Sequence, residues 1–109
     1  MNFQEYQELV RKTAIYPHQG DNLAYPALGL TGEAGEVADK IKKIIRDHNG
    51  ILGDEQKQEL VKELGDVLWY LATLAMEMKV NLEEVAISNI KKLEDRQKRG
   101  VIKGEGDNR

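Results

Sequence analysis

The chain of 109 residues contains no cysteine, which excludes disulfide bonds and thiolate chemistry. It also lacks a long apolar run, because the uncharged apolar stretch from Val67 to Met76 is far shorter than the roughly 20 residues that a membrane span needs. The N-terminus has no basic segment leading into an apolar one, so no signal peptide is predicted. We therefore expect a soluble, cytoplasmic protein with no membrane contact.

An excess of charge of one sign is also missing. The chain has 16 Lys and Arg residues against 19 Asp and Glu residues, and its net charge is -3. Such a balance gives no general attraction to nucleic acid, so any phosphate ligand must be attracted by a local group of cations. The length fits one domain, residues 1–109, with a core of modest size.

Helical periodicity dominates the chain, and no segment has the pattern of a strand. Four helices are predicted. The first covers residues 3–14 with Asn2 as N-cap, and the second begins at Asp21 or Asn22, or nearer Pro26, and ends at about Asp47. The third runs from its N-cap Asp54 to about Lys79, and the fourth runs from its N-cap Asn81 to about Arg99. The tail, about 100–109, is rich in glycine and is expected to be irregular and mobile.

The apolar stripes of these helices predict an all-α, four-helix-type bundle. The Asn49-Gly50 turn joins the second and third helices as antiparallel neighbours. From residue 67 onward the third helix is apolar nearly all round, so it needs partners on two sides. The fourth helix is expected to turn one face inward: Leu82, Val85, Ala86, Ile90 and Leu93. In so small a chain the second partner of the third helix is expected to be another copy, which predicts a homodimer or a dimer of dimers.

Two acidic signatures are the main candidates for a site: Glu33-Ala-Gly-Glu36 and Glu63-Leu-Gly-Asp66. In each, the acids are three residues apart, so they project from one face of a helix and repel each other unless a cation lies between them. One such pair is common on helix surfaces. Two pairs, each with a glycine that is unfavourable in a helix, favour a site for a hard divalent cation such as Mg²⁺ together with a phosphate ligand.

Other residues are weaker candidates for a functional site. Gly29, Gly32 and Gly35 repeat every third residue, which predicts close approach of another backbone or of a ligand. His18 and Gln19 lie in a loop from which they could reach a ligand, although a lone loop histidine is usually only solvated. On the fourth helix, one strip consists of Asn89, Lys92 and Arg96. Its cations could bind a polyphosphate, or they could simply complement the negative end of the helix dipole, and the spacing alone favours the dipole.

The combination of these motifs resembles the MazG-type nucleotide pyrophosphohydrolases, of the all-α NTP pyrophosphatase superfamily. It consists of E-x-x-E, 26 intervening residues, E-x-x-D, and then Asn-Ile-Lys-Lys-Leu with a downstream arginine. The combination in this order is specific, whereas either acidic motif alone is not. The closing Gly104-Glu105-Gly106-Asp107-Asn108-Arg109 is also similar to the ends of small single-domain members.

The resemblance implies an activity, a cofactor and a set of site residues. The activity is cleavage of a nucleoside triphosphate, NTP or dNTP, to the monophosphate and pyrophosphate, with Mg²⁺ as cofactor and Mn²⁺ as a possible substitute. By motif matching, the metal ligands are Glu33, Glu36, Glu63 and Asp66. The residues that meet the sugar or phosphates are Asn89, Lys92 and Arg96, to which we add Lys40 from the strip beside the first signature. The family is also homodimeric or tetrameric.

One departure from the family concerns water activation. Many relatives have an acid immediately before the first glutamate, and this chain has Gly32 there. The role then falls to a ligand carboxylate such as Glu33, our candidate catalytic residue, or to the metal. Two alternatives remain open: a non-catalytic helical dimerisation module whose acids are a solvated strip, and a nucleotide-binding module that has lost turnover.

Overall fold

The computed structural model describes residues 1–109 and contains four α-helices and no strand. The helices are α1 (Phe3–Thr13), α2 (Ala24–Asp47), α3 (Asp54–Glu77) and α4 (Leu82–Lys98). The predicted all-α class and the number of helices are therefore confirmed. None of the four helices combines the length and the hydropathy of a membrane-spanning segment.

A side-chain cap marks the start of α1, whereas a proline and the residue before the N-cap Leu23 mark the start of α2. The Oδ1 atom of Asn2 accepts a hydrogen bond from the backbone N–H of Glu5 at 2.8 Å, as predicted. In α2 the first turn contains Pro26, which lacks the N–H that would be unsatisfied there. Just before it, Asn22 accepts a hydrogen bond from the N–H of Tyr25 at 3.0 Å, so this asparagine satisfies a free donor at the start of the helix.

The predicted ends of α3 need correction, whereas α4 begins after Asn81 and ends before Arg99 as predicted. Gly53, not Asp54, is the N-cap of α3, and Asp54 lies in the first turn, where a negative charge complements the helix dipole. The helix ends at Glu77 rather than Lys79, because Lys79 adopts a left-handed backbone with φ 59°. Asn81 is the N-cap of α4 by position, but the N–H of Leu82 donates instead to Oε1 of Gln7 at 2.8 Å. A residue of α1 therefore caps α4.

The helices pack unevenly. The main contact joins α2 and α3, α1 lies on α3, and α4 packs on α1. A small core forms where α1, α3 and the start of α4 meet, from Val10, Ala72 and Leu82 with four partly buried neighbours. Only 10 of the 109 residues are buried, so a single chain encloses little apolar volume.

The inward face predicted for α4 is only partly buried in one chain. Leu82 is buried as expected, but Val85 is 40% exposed and Ile90 is 54% exposed. The reason is the position of α4, which packs on α1 and leaves the rest of its apolar face without a neighbour. The prediction of an inward-facing stripe is therefore wrong for these two residues within the isolated chain.

Candidate metal centre

Three of the four signature acids converge. Carboxylate oxygens of Glu33 on α2 and of Glu63 and Asp66 on α3 lie within 4.8 Å of one another. The spacing of three residues places Glu63 and Asp66 on one face of α3, and the packing of α2 on α3 brings Glu33 to that face. Three carboxylates at this separation offer the oxygen ligands that a hard divalent cation takes.

Glu36 lies outside this group. Its side chain is exposed on α2, one turn beyond Glu33, and its carboxylate is not among the converging oxygens. Its charge still acts on the cluster, since it is one of the charges that raise the pKa of Glu33. The assignment of Glu36 as a metal ligand therefore stays a prediction, as do the assignments of the other three acids.

The electrostatics of the cluster favour a bound cation. The pKa of Glu33 is raised above its ordinary value by burial first and then by the negative charges of Asp66, Glu63 and Glu36. The cation of the protein that pairs with the cluster is Lys40, whose Nζ lies 3.6 Å from Oε1 of Glu63 and 3.9 Å from Oε2 of Glu59. One ammonium group does not balance three carboxylates, so the residues present fit a divalent metal ion.

An aromatic row borders the acids. Tyr70 lies one turn after Asp66, and its pKa is raised by burial first and then by Tyr25 and Glu33. The rings of Tyr70 and Tyr25 have centroids 6.5 Å apart, and Tyr25 stacks on Tyr16 at 4.8 Å with an interplanar angle of 10°. The sequence places Tyr70 on the same helix edge as Glu63 and Asp66, but it contains no signal for the two tyrosines that join it.

Glu77 on α3 holds the loop between α1 and α2 through a set of hydrogen bonds, which we call the latch. The carboxylate of Glu77 accepts hydrogen bonds from the hydroxyl of Tyr16, from the N–H of Gly20 at 2.8 Å and from the N–H of Asn22 at 3.1 Å. These bonds lower the pKa of Glu77. A pocket of about 460 Å³ opens beside the latch, and Gln19 contributes to its wall. The sequence places Glu77 on the same helix edge as Tyr70 but does not predict its partners, because they lie more than 50 residues away.

The candidate phosphate contacts of α4 lie apart from the acids. Lys92 and Arg96 both reach Asp107 in the tail, and neither is among the charges that perturb the pKa of Glu33. Asn89 is exposed and lines, with Lys92, an apolar groove of about 650 Å³ between α3 and α4. The structure therefore brings Lys40 to the acid cluster but not the three α4 residues, whose substrate role stays a prediction.

The loop histidine, His18, is exposed and has a left-handed backbone with φ 56°.

Two packed helices present clustered carboxylates, so the protein is of the all-α class and has a candidate metal centre. Residues 20–101 match the family model described as the MazG nucleotide pyrophosphohydrolase domain, and the chain belongs to this family. The match contains the acid cluster and the three α4 candidates and ends where the tail begins. The predicted family is thus confirmed.

A relative is found over the full length. The chain is 48% identical over 114 residues to the "Gene 37 protein" of Mycobacterium phage L5, with 100% of each chain covered. The alignment therefore includes the tail, which lies beyond the family match. No solved structure matches the chain.

Proposed function

We propose that the protein is a Mg²⁺-dependent nucleoside triphosphate pyrophosphohydrolase that acts in nucleotide-pool sanitation or control. It converts an NTP or dNTP to the monophosphate and pyrophosphate. The observation that supports this most is the convergence of three carboxylates from two helices, within 4.8 Å, in a chain that belongs to the MazG family. Cleavage between the α and β phosphates is taken from the family, since clustered acids alone do not select the phosphorus that is attacked.

In this proposal the metal ligands are Glu33, Glu63 and Asp66, with Glu36 added from the neighbouring turn. Mg²⁺ supplies charge neutralisation on the phosphates and lowers the cost of forming the nucleophile. Mn²⁺ substitutes because it accepts the same oxygen ligands. Phosphoryl transfer depends on positioning and electrostatics rather than on a protein nucleophile, which agrees with a site built without Ser, Cys or His.

Individual side chains have separate tasks. Glu33 is half-buried between the two helices, so its carboxylate can orient the attacking water and accept its proton. Lys40 lies at the edge of the cluster and supplies positive charge for a phosphate group.

Two contacts support an antiparallel arrangement of α2 and α3. Gly29, early in α2, lies against Tyr70, late in α3, whereas Lys40, later in α2, lies against Glu59, early in α3.

Assembly completes the site. We infer a homodimer or a dimer of dimers, since α4 has an apolar face that its own chain leaves exposed. The α4 strip of Asn89, Lys92 and Arg96 then binds the sugar or phosphates of the substrate. This part of the proposal rests on the family and on the unpaired helix faces.

The test is a screen of common and modified NTPs and dNTPs for pyrophosphate release in the presence of Mg²⁺. The expected products are the monophosphate and pyrophosphate. The diphosphate and inorganic phosphate as main products would contradict the choice of bond. Binding without product would favour the nucleotide-binding module, and the absence of both binding and product would favour a dimerisation module.

A second measurement isolates the metal. Millimolar Mg²⁺ should raise the melting temperature, since an ion that binds only the folded state stabilises it by mass action. Lys40→Gln is a useful companion variant, because it removes the cation beside Glu63 and should leave the gain in melting temperature intact or increase it. No response to Mg²⁺ or Mn²⁺ in either protein would contradict the metal centre.

A further inference from the structure

The tail after α4 is a folded loop, although it contains no helix or strand. Three glycines adopt positive φ angles, at Gly100, Gly104 and Gly106, and these allow the chain to reverse direction. The guanidinium group of Arg109 then donates to the carbonyl oxygens of Val101 at 3.0 Å and of Ile102 at 3.1 Å, and also to that of Gly106. The last residue thus closes the loop onto its own beginning.

The loop places one carboxylate against two cations of α4. Oδ1 of Asp107 lies 3.2 Å from Nζ of Lys92 and 3.2 Å from Nη2 of Arg96. Arg96 also donates to the backbone carbonyl oxygen of Asp107. These are the two cations of the strip that is suited to a polyphosphate, and both are occupied by the tail.

The burial of the three partners is unequal. Arg96 is only 5% exposed, whereas the side chain of Asp107 is 83% exposed. A carboxylate oxygen between an ammonium and a guanidinium group makes the charge-assisted contacts that a phosphate oxygen makes in the same position. Because Asp107 is open to solvent, its ion pairs are screened and weak, and an anion of higher charge can replace it.

We propose that Lys92 and Arg96 form an anion site whose resident ligand is Asp107 of the tail, and that a polyphosphate must displace the tail to bind there. The tail is then a built-in competitor for one side of the proposed active site. The biological ligand, a nucleoside triphosphate, rests on the proposed function, whereas the displacement itself does not.

The test uses inorganic tripolyphosphate with the full-length protein in chelator, so that the acid cluster holds no metal. Asp107→Asn keeps the shape of the side chain but weakens the competing contact. Asp95→Asn is the matched control, since Asp95 is an exposed acid of α4 paired at 2.8 Å with Arg99 and not with Lys92 or Arg96. Calorimetry should show tripolyphosphate bound about threefold more tightly by Asp107→Asn, and within about twofold of wild type by Asp95→Asn.

A second readout follows the tail directly. The amide signals of Gly104 and Gly106 should shift when tripolyphosphate is added to the wild-type protein. Equal or weaker binding by Asp107→Asn relative to Asp95→Asn, no binding by any of the proteins, or binding that leaves both glycine signals unchanged would overturn the proposal. A failure to release pyrophosphate from nucleotides, in contrast, would overturn the proposed function and leave the displacement result in place.

Discussion

At the scale of single residues, the same residue type has opposite roles on the two packed helices α2 and α3. Asp66 lies among like charges and takes part in no ion pair, whereas Asp39 lies 2.8 Å from both Lys42 and Lys43. The two lysines lower the pKa of Asp39 to about 2 through hydrogen bonds and charge. The environment of an acid, rather than its presence, therefore separates a candidate ligand from a structural ion pair.

Replacement of Asp66 by Asn should separate catalysis from stability. The variant removes one charge from the cluster, so we expect the metal-free melting temperature to stay equal or rise, while turnover falls by about 100-fold or more. The melting temperature in chelator and pyrophosphate release in Mg²⁺ give the two readouts. Asp39→Asn is the control and should show the reverse, with lower stability and retained activity. An Asp66→Asn protein that is less stable yet fully active would remove Asp66 from the proposed centre.

At the scale of the helices, the glycines of α2 are not equivalent. A Cβ atom added at Gly29 would lie 2.1 Å from the ring of Tyr70, so this glycine permits the ring to lie against α2. A Cβ atom at Gly32 or Gly35 would meet nothing within 4 Å. The predicted close approach of another backbone is therefore not found within the chain, because the neighbour of Gly29 is a side chain and the other two glycines have no neighbour.

This difference predicts opposite signs for two alanine variants. Gly29→Ala should destabilise the protein by about 1–3 kcal/mol, because the ring of Tyr70 must move away from α2 to make room for the added methyl group. Gly35→Ala should stabilise it by about 0.5–1 kcal/mol, because alanine is the better helix former. Denaturant unfolding of the metal-free protein measures both. Destabilisation by Gly35→Ala would show that another chain or a ligand occupies the space beside this glycine.

The loop between α1 and α2 depends on the ionised form of Glu77. Because the folded-state pKa of Glu77 is below its ordinary value of 4.5, the latch contributes stability above that pH, and this is lost as the pH falls through the lower folded-state value. Glu77→Gln should therefore be less stable than wild type at pH 7, since an amide NH₂ would face the N–H of Asn22.

The pH dependence of this latch gives a separate measurement. The difference in melting temperature between wild type and Glu77→Gln should be largest near neutral pH and should decrease below about pH 4.5. Glu8→Gln is the control, since Glu8 is exposed on α1 and takes part in no ion pair. A difference that stays constant down to strongly acidic pH would show that the carboxylate charge of Glu77 does not hold the loop.

At the scale of the whole molecule, one chain is more extended than a compact domain. Its radius of gyration is 16.8 Å, whereas a compact chain of this length has about 13 Å. Val61, Leu64 and Leu68 form an exposed apolar stripe along α3 at helical spacing. The exposed faces of α3 and α4 support the proposal that copies of the chain associate.

An acidic substitution in the α3 stripe should prevent this association. Leu64 is 55% exposed, so Leu64→Glu should leave the fold of one chain intact while it places a charge in the proposed interface. Light scattering should report a dimer or tetramer for wild type and a 12.4 kDa monomer for Leu64→Glu. Ile51→Glu, at an exposed residue between α2 and α3, should associate as wild type does. A wild-type monomer at micromolar concentration would contradict the proposed assembly.

The sequence by itself determined the features that depend on local periodicity. The four helices, the N-cap of α1 and the common face of Glu63 and Asp66 follow from a repeat of 3.6 residues and from the hydrogen-bonding capacity of the residue before a helix. The resemblance to the MazG family rests on short motifs of the same local kind, and the family match confirms it.

Only the tertiary structure decided which residues from distant parts of the chain meet. The rotation of α2 against α3 brings Glu33 into the cluster and leaves Glu36 outside, although both belong to one motif. Gln7 caps α4 and Glu77 holds the first loop across separations of 75 and 55 to 61 residues. A local pattern specifies the face on which a side chain lies, but its neighbour depends on how helices rotate and cross when they pack, and on where turns return the chain.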